Sequence, residues 1–277
     1  IDNQLQYQAS SDNYSMQLKQ FYDGNEYHII ATGNIGDRAP KYLKPSIDDI
    51  NGYLIVLTEH LVKELGANYA AINTTTSSNA VKAEMVKRIT SPKLNDMLKQ
   101  ALHDSNNLVT ESMYVKLGEI TAPRARDWRH IGVGNKKLLE THLNIKLDQT
   151  DIYDGSGISH YHLTSADDIN KLLASIYRSP ELYKKVTANM PDWCKKEGNL
   201  KYLPKLHKAS NKVKVYAKTG TTSQIANVAG FIELPNRAPI VFTFMSFNHP
   251  ENKKKIKQLY AGIIDLIVDY YSNNKTA

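Results

Sequence analysis

A single cysteine, Cys194, stands in 277 residues, so no internal disulfide can form and no second thiol offers metal-ligand spacing. Long hydrophobic runs are missing too. The longest candidates are residues 225–234 and 240–247, well short of the roughly 18–20 apolar residues that cross a bilayer, and no transmembrane segment is expected. Residues 1–15 have neither the basic start nor the apolar stretch of a signal peptide, and position 1 is Ile1, so a preceding segment is expected. Internal repeats and low-complexity tracts are absent. What is there is the composition of an ordinary globular chain, 41% apolar and 23% charged, with enough length for a substantial core. Lys and Arg number 35 against 28 Asp and Glu, a formal net charge of +7 that suits nucleic acid, acidic envelope polymer or acidic substrates. The lysines cluster only at Lys253, Lys254, Lys255 and Lys257, where a solvated helical face is the plain expectation.

The periodicity divides the chain. Tyr14, Met16 and Leu18 alternate with polar residues, Asp23-Gly24-Asn25 signals a turn, and residues 27–31 resume an extended pattern, which predicts a hairpin. Ser46 with Asp49 predicts the start of a helix carried by Ile50, Leu54, Leu57, Leu61 and Leu65 and stopped at Gly66, followed by a polar loop over 73–79. Residues 94–172 read as mainly helical, interrupted by a Gly-rich loop over 151–162. Three apolar runs of strand length follow, 213–217, 226–234 and 240–247, joined by links too short for parallel crossovers, so an antiparallel meander is expected. A last helix from Lys253 carries the stripe Ile256, Leu259, Ile263, Ile267 and Tyr270. Helices followed by antiparallel strands and a closing helix define an α+β fold.

Three short motifs stand in order: Ser105-Asn106-Asn107, Asp154-Gly155-Ser156-Gly157, and Lys218-Thr219-Gly220 followed by Thr221. Lys218 closes a predicted strand, where the missing side chain of Gly220 lets a substrate backbone lie alongside. Lys218 supplies a cation there and Thr219 and Thr221 supply hydroxyls, a set suited to a carboxylate beside a reacting carbonyl. Ser105 and Asn107 fall between two predicted helices, where their side chains can point into a cleft.

Other chemistries fit less well. His160 and His162 lie near Asp154 in sequence but have no third strong ligand, so no metal and no cofactor is expected. Gly132-Val133-Gly134 has Lys137 where a dinucleotide loop needs glycine, and no strand precedes it. A G-x-S-x-G elbow fails at Asp154, two residues before Ser156. Tyr202 beside Lys201 and Lys205 could stack bases, but no nucleic-acid-binding fold motif accompanies it, and nucleic acid is not expected as a partner.

With Ser105-Asn106-Asn107, Asp154-Gly155-Ser156-Gly157-Ile158-Ser159 and Ala217-Lys218-Thr219-Gly220-Thr221 followed by Val228-Ala229-Gly230-Phe231, the chain resembles the class C low-molecular-mass penicillin-binding proteins, the D-alanyl-D-alanine carboxypeptidase/endopeptidases of peptidase family S13. The likeness is specific from Ser91 onward. It implies a penicillin-binding, serine β-lactamase-like fold: an antiparallel sheet flanked by helices with a helical subdomain, residues 91–277 being its C-terminal part and residues 1–90 part of an inserted β-rich region. It implies hydrolysis of stem peptides of peptidoglycan through an acyl-enzyme, binding of β-lactams, and a place in the periplasm or cell envelope. By the same resemblance Ser105 relays a proton, Asn107 holds the substrate amide, Lys218, Thr219 and Thr221 bind the terminal carboxylate, the Thr221 N–H serves the oxyanion hole, and Asp154 and Ser156 shape the cleft loop. The chain departs from the family at His160, where arginine is usual, and at Gly198-Asn199-Leu200, where the family has Gly-Thr-Leu followed by arginine.

The family's nucleophile is a serine with lysine three residues later, one helical turn away. Only Ser272 has lysine at that offset, Lys275, in the polar tail after every other motif; Thr90 with Lys93 shares the spacing but encloses Pro92. The nucleophile is therefore expected on a preceding segment, which becomes an expected partner of this chain. The alternative is a catalytically inactive relative that binds peptidoglycan or another protein.

Overall fold

The computed structural model describes residues 2–7, 15–24, 26–36, 47–67, 90–209, 212–248 and 252–273. These form two compact units, Ile1–Arg88 and Ile89–Ala277. Tyr14, Asn25, Ser46, residues 73–79 and Lys275 lie outside the described residues.

In the first unit β1 (Asp2–Tyr7), β2 (Ser15–Tyr22) and β3 (Tyr27–Ile35) form a sheet in the order β1-β3-β2. β2 and β3 make the expected antiparallel hairpin, Tyr22 opposite Tyr27 and Ser15 opposite Asn34. Its turn is fixed by the Asp23 carboxylate, which accepts from Glu26 N at 2.8 Å. β1 was not legible in the sequence: Asp-Asn-Gln-Leu-Gln-Tyr has no apolar alternation, and the strand is defined by parallel pairing with β3. Helix α1 (Ile50–Glu64) begins one residue after Asp49, which is itself the cap, its side chain accepting from Gly52 N at 3.0 Å.

The second unit opens with α2 (Leu94–His103), α3 (Asn107–Thr121) and α4 (Trp128–Leu143), then α5 (Ala166–Arg178) and α6 (Pro180–Thr187). Each of α3, α4 and α5 starts at a residue whose side chain accepts a first-turn N–H: Asn106 from Val109, Asp127 from His130, Ser165 from Asp168. Beyond a 3-10 turn over Gly198–Tyr202 come β4 (Lys214–Thr221), β5 (Ala226–Glu233) and β6 (Ile240–Phe244), antiparallel in the order β4-β5-β6, and α7 (Lys253–Asn273). The sheet is covered on both faces. Val215, Ala217, Val228 and Ile232 pack with Trp193, Leu200 and, from α7, Tyr260, Ile264 and Val268. Phe231 packs with Leu173 of α5 and Met190.

α7 meets the sheet through a face that shares only part of the expected stripe, Ile256 and Ile267 packing against the core. The buried residues are Tyr260, Ala261, Ile264 and Val268, whereas Leu259 and Tyr270 are 58% and 61% exposed. The helix carries two neighbouring apolar stripes about 100° apart, and periodicity does not say which of them faces the core. Nor is the lysine cluster only a solvated face: Lys253 Nζ donates to Thr222 O at 3.0 Å, pinning the turn that follows the Lys218 motif.

Among the described residues no helix is long and apolar enough to cross a membrane.

Candidate active site

The site begins at the turn between α2 and α3. Ser105 there has φ +55°, a left-handed conformation costing a non-glycine residue roughly 1–2 kcal/mol. Neighbouring bonds hold it in place. Asp104 N and Asn106 N both donate to Gln100 O, at 3.3 and 3.1 Å, and the Asn199 amide donates to Asp104 O at 3.0 Å. The turn thereby directs the Ser105 side chain to the sheet, where Lys218 Nζ donates to Ser105 Oγ at 2.8 Å and to Thr219 O at 2.7 Å. Two of the three motifs, 113 residues apart, meet in that bond.

Burial holds the Lys218 amine below the ordinary lysine range. The cost of burying the charge is present in full below the depressed folded value and is relieved as pH rises toward the unfolded one. Lys218 therefore gives up its proton more readily than a surface lysine does.

β4 is an edge strand whose outer main-chain groups find partners along much of its length: Val215 O accepts from Trp193 N at 2.8 Å, Ala217 N donates to Pro191 O at 3.2 Å, and Thr219 O accepts from Lys218 Nζ. By the two-residue alternation of such bonds, the N–H groups of Thr219 and Thr221 face the same open edge, ready for an extended ligand. A Cβ built on Gly220 would meet nothing nearer than Asn227 Cβ at 3.8 Å, so the protein's own packing does not require glycine here. Gly220→Ala is expected to hold or raise stability by about 0.5 kcal/mol. The same substitution should weaken a ligand lying along β4 by roughly tenfold. Thermal unfolding and binding of a β-lactam measure the two effects; equal ligand binding would show that nothing lies along this edge.

The third motif forms a loop packed on α3. The Asp154 carboxylate accepts from Ser159 N at 2.6 Å and from Gly157 N, which closes the loop on itself. Ser156 contributes its main chain: Ser156 N and Gly155 N donate to the two oxygens of Glu111 at 3.1 and 3.0 Å. Glu111 escaped the sequence reading. Its only local signal is its place one helical turn after Asn107, on the same face of α3. Asn199 and Lys253 likewise work through residues distant in sequence. Asn107 is the exposed first residue of α3, with its main-chain O bonded to Thr110 Oγ1; Thr219 is half-buried, and Gly220 and Thr221 are exposed.

His162 Nδ1 lies 3.7 Å from Asp154 Oδ1, but among the described residues no group of three or more His, Cys, Asp or Glu is placed to hold a metal ion. Burial, with Asp192 nearby, pushes the half-buried Cys194 thiol up to about 12, leaving it a poor nucleophile.

An antiparallel sheet between helical layers, with a helical subdomain that brings a serine to the edge strand, is the arrangement of the penicillin-binding, serine β-lactamase-like fold. Its fold is similar to that of penicillin binding protein 4 from Haemophilus influenzae complexed with a β-lactam, at a TM-score of 0.75 and 17% identity over 97% of this chain. The chain spans 63% of the length of that protein. It is also similar to a predatory endopeptidase from Bdellovibrio bacteriovorus in complex with an immunity protein, at a TM-score of 0.54 and 14% identity over 86% of this chain and 66% of the other. Residues 1–265 match the D-Ala-D-Ala carboxypeptidase 3 (S13) family, and the chain belongs to that family. The curated proteins contain no match.

Proposed function

We propose that this chain carries the substrate-binding part of a serine D-Ala-D-Ala carboxypeptidase, with endopeptidase action on the same type of bond. It works on stem peptides of peptidoglycan in the periplasm or cell envelope and binds β-lactams. The observation that carries this reading is the bond of Lys218 Nζ to Ser105 Oγ, which joins the edge strand to the helical turn. In the proposed reaction a serine supplied by another segment attacks the carbonyl carbon of the penultimate D-alanine. The peptide bond breaks, and the departing amine of the terminal D-alanine takes a proton relayed through Ser105. Lys218, Thr219 and Thr221 hold the terminal carboxylate and Asn107 the substrate amide. The outward N–H of Thr221 donates to the carbonyl oxygen as it gains charge. Water then releases the acyl group from the serine.

Two observations support a nucleophile from outside these residues. No serine in the sequence other than Ser272 has lysine three residues later. An apolar cavity of about 740 Å³ also opens beside the Ser105 turn, lined by Leu98, Leu102, Met113, Leu117, Leu139 and Ile152 among others. A surface of that kind is stabilised when a helix with an apolar face fills it. The chain joined to a segment bearing the serine–lysine pair is expected to release D-alanine from a pentapeptide ending in D-Ala-D-Ala, and the chain alone to release none. Release by the chain alone, or by neither protein, overturns the proposal.

A further inference from the structure

A groove of about 670 Å³ lies between the start of α4 and the loop that carries Asp154, lined by Glu111, Trp128, Arg129, Tyr153 and Tyr161 among others. Its walls are aromatic and exposed: Trp128 is 49% and Tyr161 71% accessible. Each ring packs on a neighbouring ring, and the main chain that carries it is hydrogen-bonded. The indole of Trp128 lies nearly parallel to Tyr114, with centroids 5.6 Å apart, and the Tyr114 hydroxyl donates to Trp128 O at 2.6 Å. Tyr161 packs on Tyr153 at 5.4 Å and its N–H donates to Ser159 Oγ at 3.2 Å. Aromatic side chains have only two side-chain torsions, so they lose little conformational freedom when a ligand stacks on them.

Charge narrows the ligand. Glu111, Asp127 and Asp154 face a single cation, Arg129, in the lining. A net negative groove repels phosphate and other anions. The carboxylates are already committed, Glu111 and Asp154 to loop N–H groups and Asp127 to the cap of α4, so they do not call for a cationic ligand either. Flat aromatic faces with a polar rim suit a neutral ring that has one C–H face and a periphery of hydroxyl and amide groups. The groove also continues from the candidate active site: Glu111 follows Asn107 by one turn of α3, roughly 6 Å along the axis. A five-residue stem reaches at most about 18 Å when extended, so its carrier sugar falls within range of the groove.

We propose that this groove is a saccharide subsite, taking a neutral N-acetylated hexose ring of the glycan strand from which the stem peptide hangs. The identity of that polymer rests on the function proposed above, whereas recognition of the sugar does not. The test titrates the 277-residue chain with tri-N-acetylchitotriose. Trp193 has no exposed surface, so among the two tryptophans a fluorescence change reports on Trp128. A saturable change with a dissociation constant near 1 mM or below is expected, weakened about tenfold by Tyr161→Ala. For Trp128→Ala, which removes the reporter, saturation-transfer NMR should show loss of the sugar signal while far-UV circular dichroism is unchanged. No saturable response up to about 10 mM overturns the proposal. So does unchanged affinity in both variants, or a sugar-free stem peptide that displaces the trisaccharide from the groove. Failure of D-alanine release by the joined protein with saccharide binding intact would remove the proposed reaction and leave the subsite standing; the reverse result would remove only the subsite.

Discussion

Replacing Lys218 by alanine is expected to slow β-lactam acylation of the chain joined to a segment bearing the serine–lysine pair by roughly 10²–10³-fold, the scale at which one fixed electrostatic donor contributes to acyl transfer. Lys218 Nζ is bonded to Ser105 Oγ and its strand lies at the edge of the sheet, so its removal takes away both of the roles that the proposed reaction gives it, proton partner of Ser105 and charge for the substrate carboxylate. The fold should not suffer in proportion. The charged amine is disfavoured by burial, and the alanine variant sheds that cost along with two hydrogen bonds. The expected signature is an acylation rate that collapses while the unfolding temperature stays within a few degrees. Lys218→Arg keeps the charge but not the readiness to lose a proton, and should recover affinity for a carboxylate more than the acylation rate. Acylation of Lys218→Ala at the parent rate would remove Lys218 from the site.

Gly155→Ala should produce the largest loss of stability tied to the site. A Cβ at Gly155 would lie 2.2 Å from Thr110 O and 2.8 Å from Tyr114 Cβ, both on α3, so the loop has to move away from the helix. That movement breaks the two N–H bonds to Glu111. Overpacking of this kind costs about 1–3 kcal/mol, or roughly 2–4 °C of unfolding temperature for each kcal/mol in a domain of this size. Gly157 supplies the comparison. It has φ +73° but open space around its Cβ position, so Gly157→Ala should cost only the backbone term of about 1 kcal/mol. Thermal unfolding of the two variants side by side tests the close approach; equal losses would mean that the loop yields without strain.

Where chemistry is local, the sequence is readable. Asp23 and Gly24 turn the hairpin, Asp49 marks the start of α1, and the three apolar runs joined by short links become the meander β4-β5-β6. The strand-end position of Lys218 and the interhelical position of Ser105 follow from the same local signals; their mutual approach does not, since it depends on how far α2, α3 and the sheet are brought together. β1 fails for the opposite reason: a polar, exposed strand has no periodic signal and exists through its pairing with β3. α7 offers two apolar stripes, and only the sheet selects the one with Tyr260, Ile264 and Val268. Glu111, Asn199 and Lys253 have ordinary surroundings in sequence. Their partners, the Gly155–Ser156 main chain, Asp104 O and Thr222 O, are distant along the chain, so each is visible only once the fold is formed.

The central claim is that Ser105 and Lys218 belong to an acyl-transfer site whose nucleophile is not among these 277 residues. Intact mass after incubation with a β-lactam tests it most directly. The chain alone should show no covalent adduct, and the chain joined to a segment bearing the serine–lysine pair should gain the mass of one β-lactam, located by peptide mapping to that serine. A stable adduct on the 277-residue chain alone, at Ser105, Ser272 or any other residue, would contradict the claim.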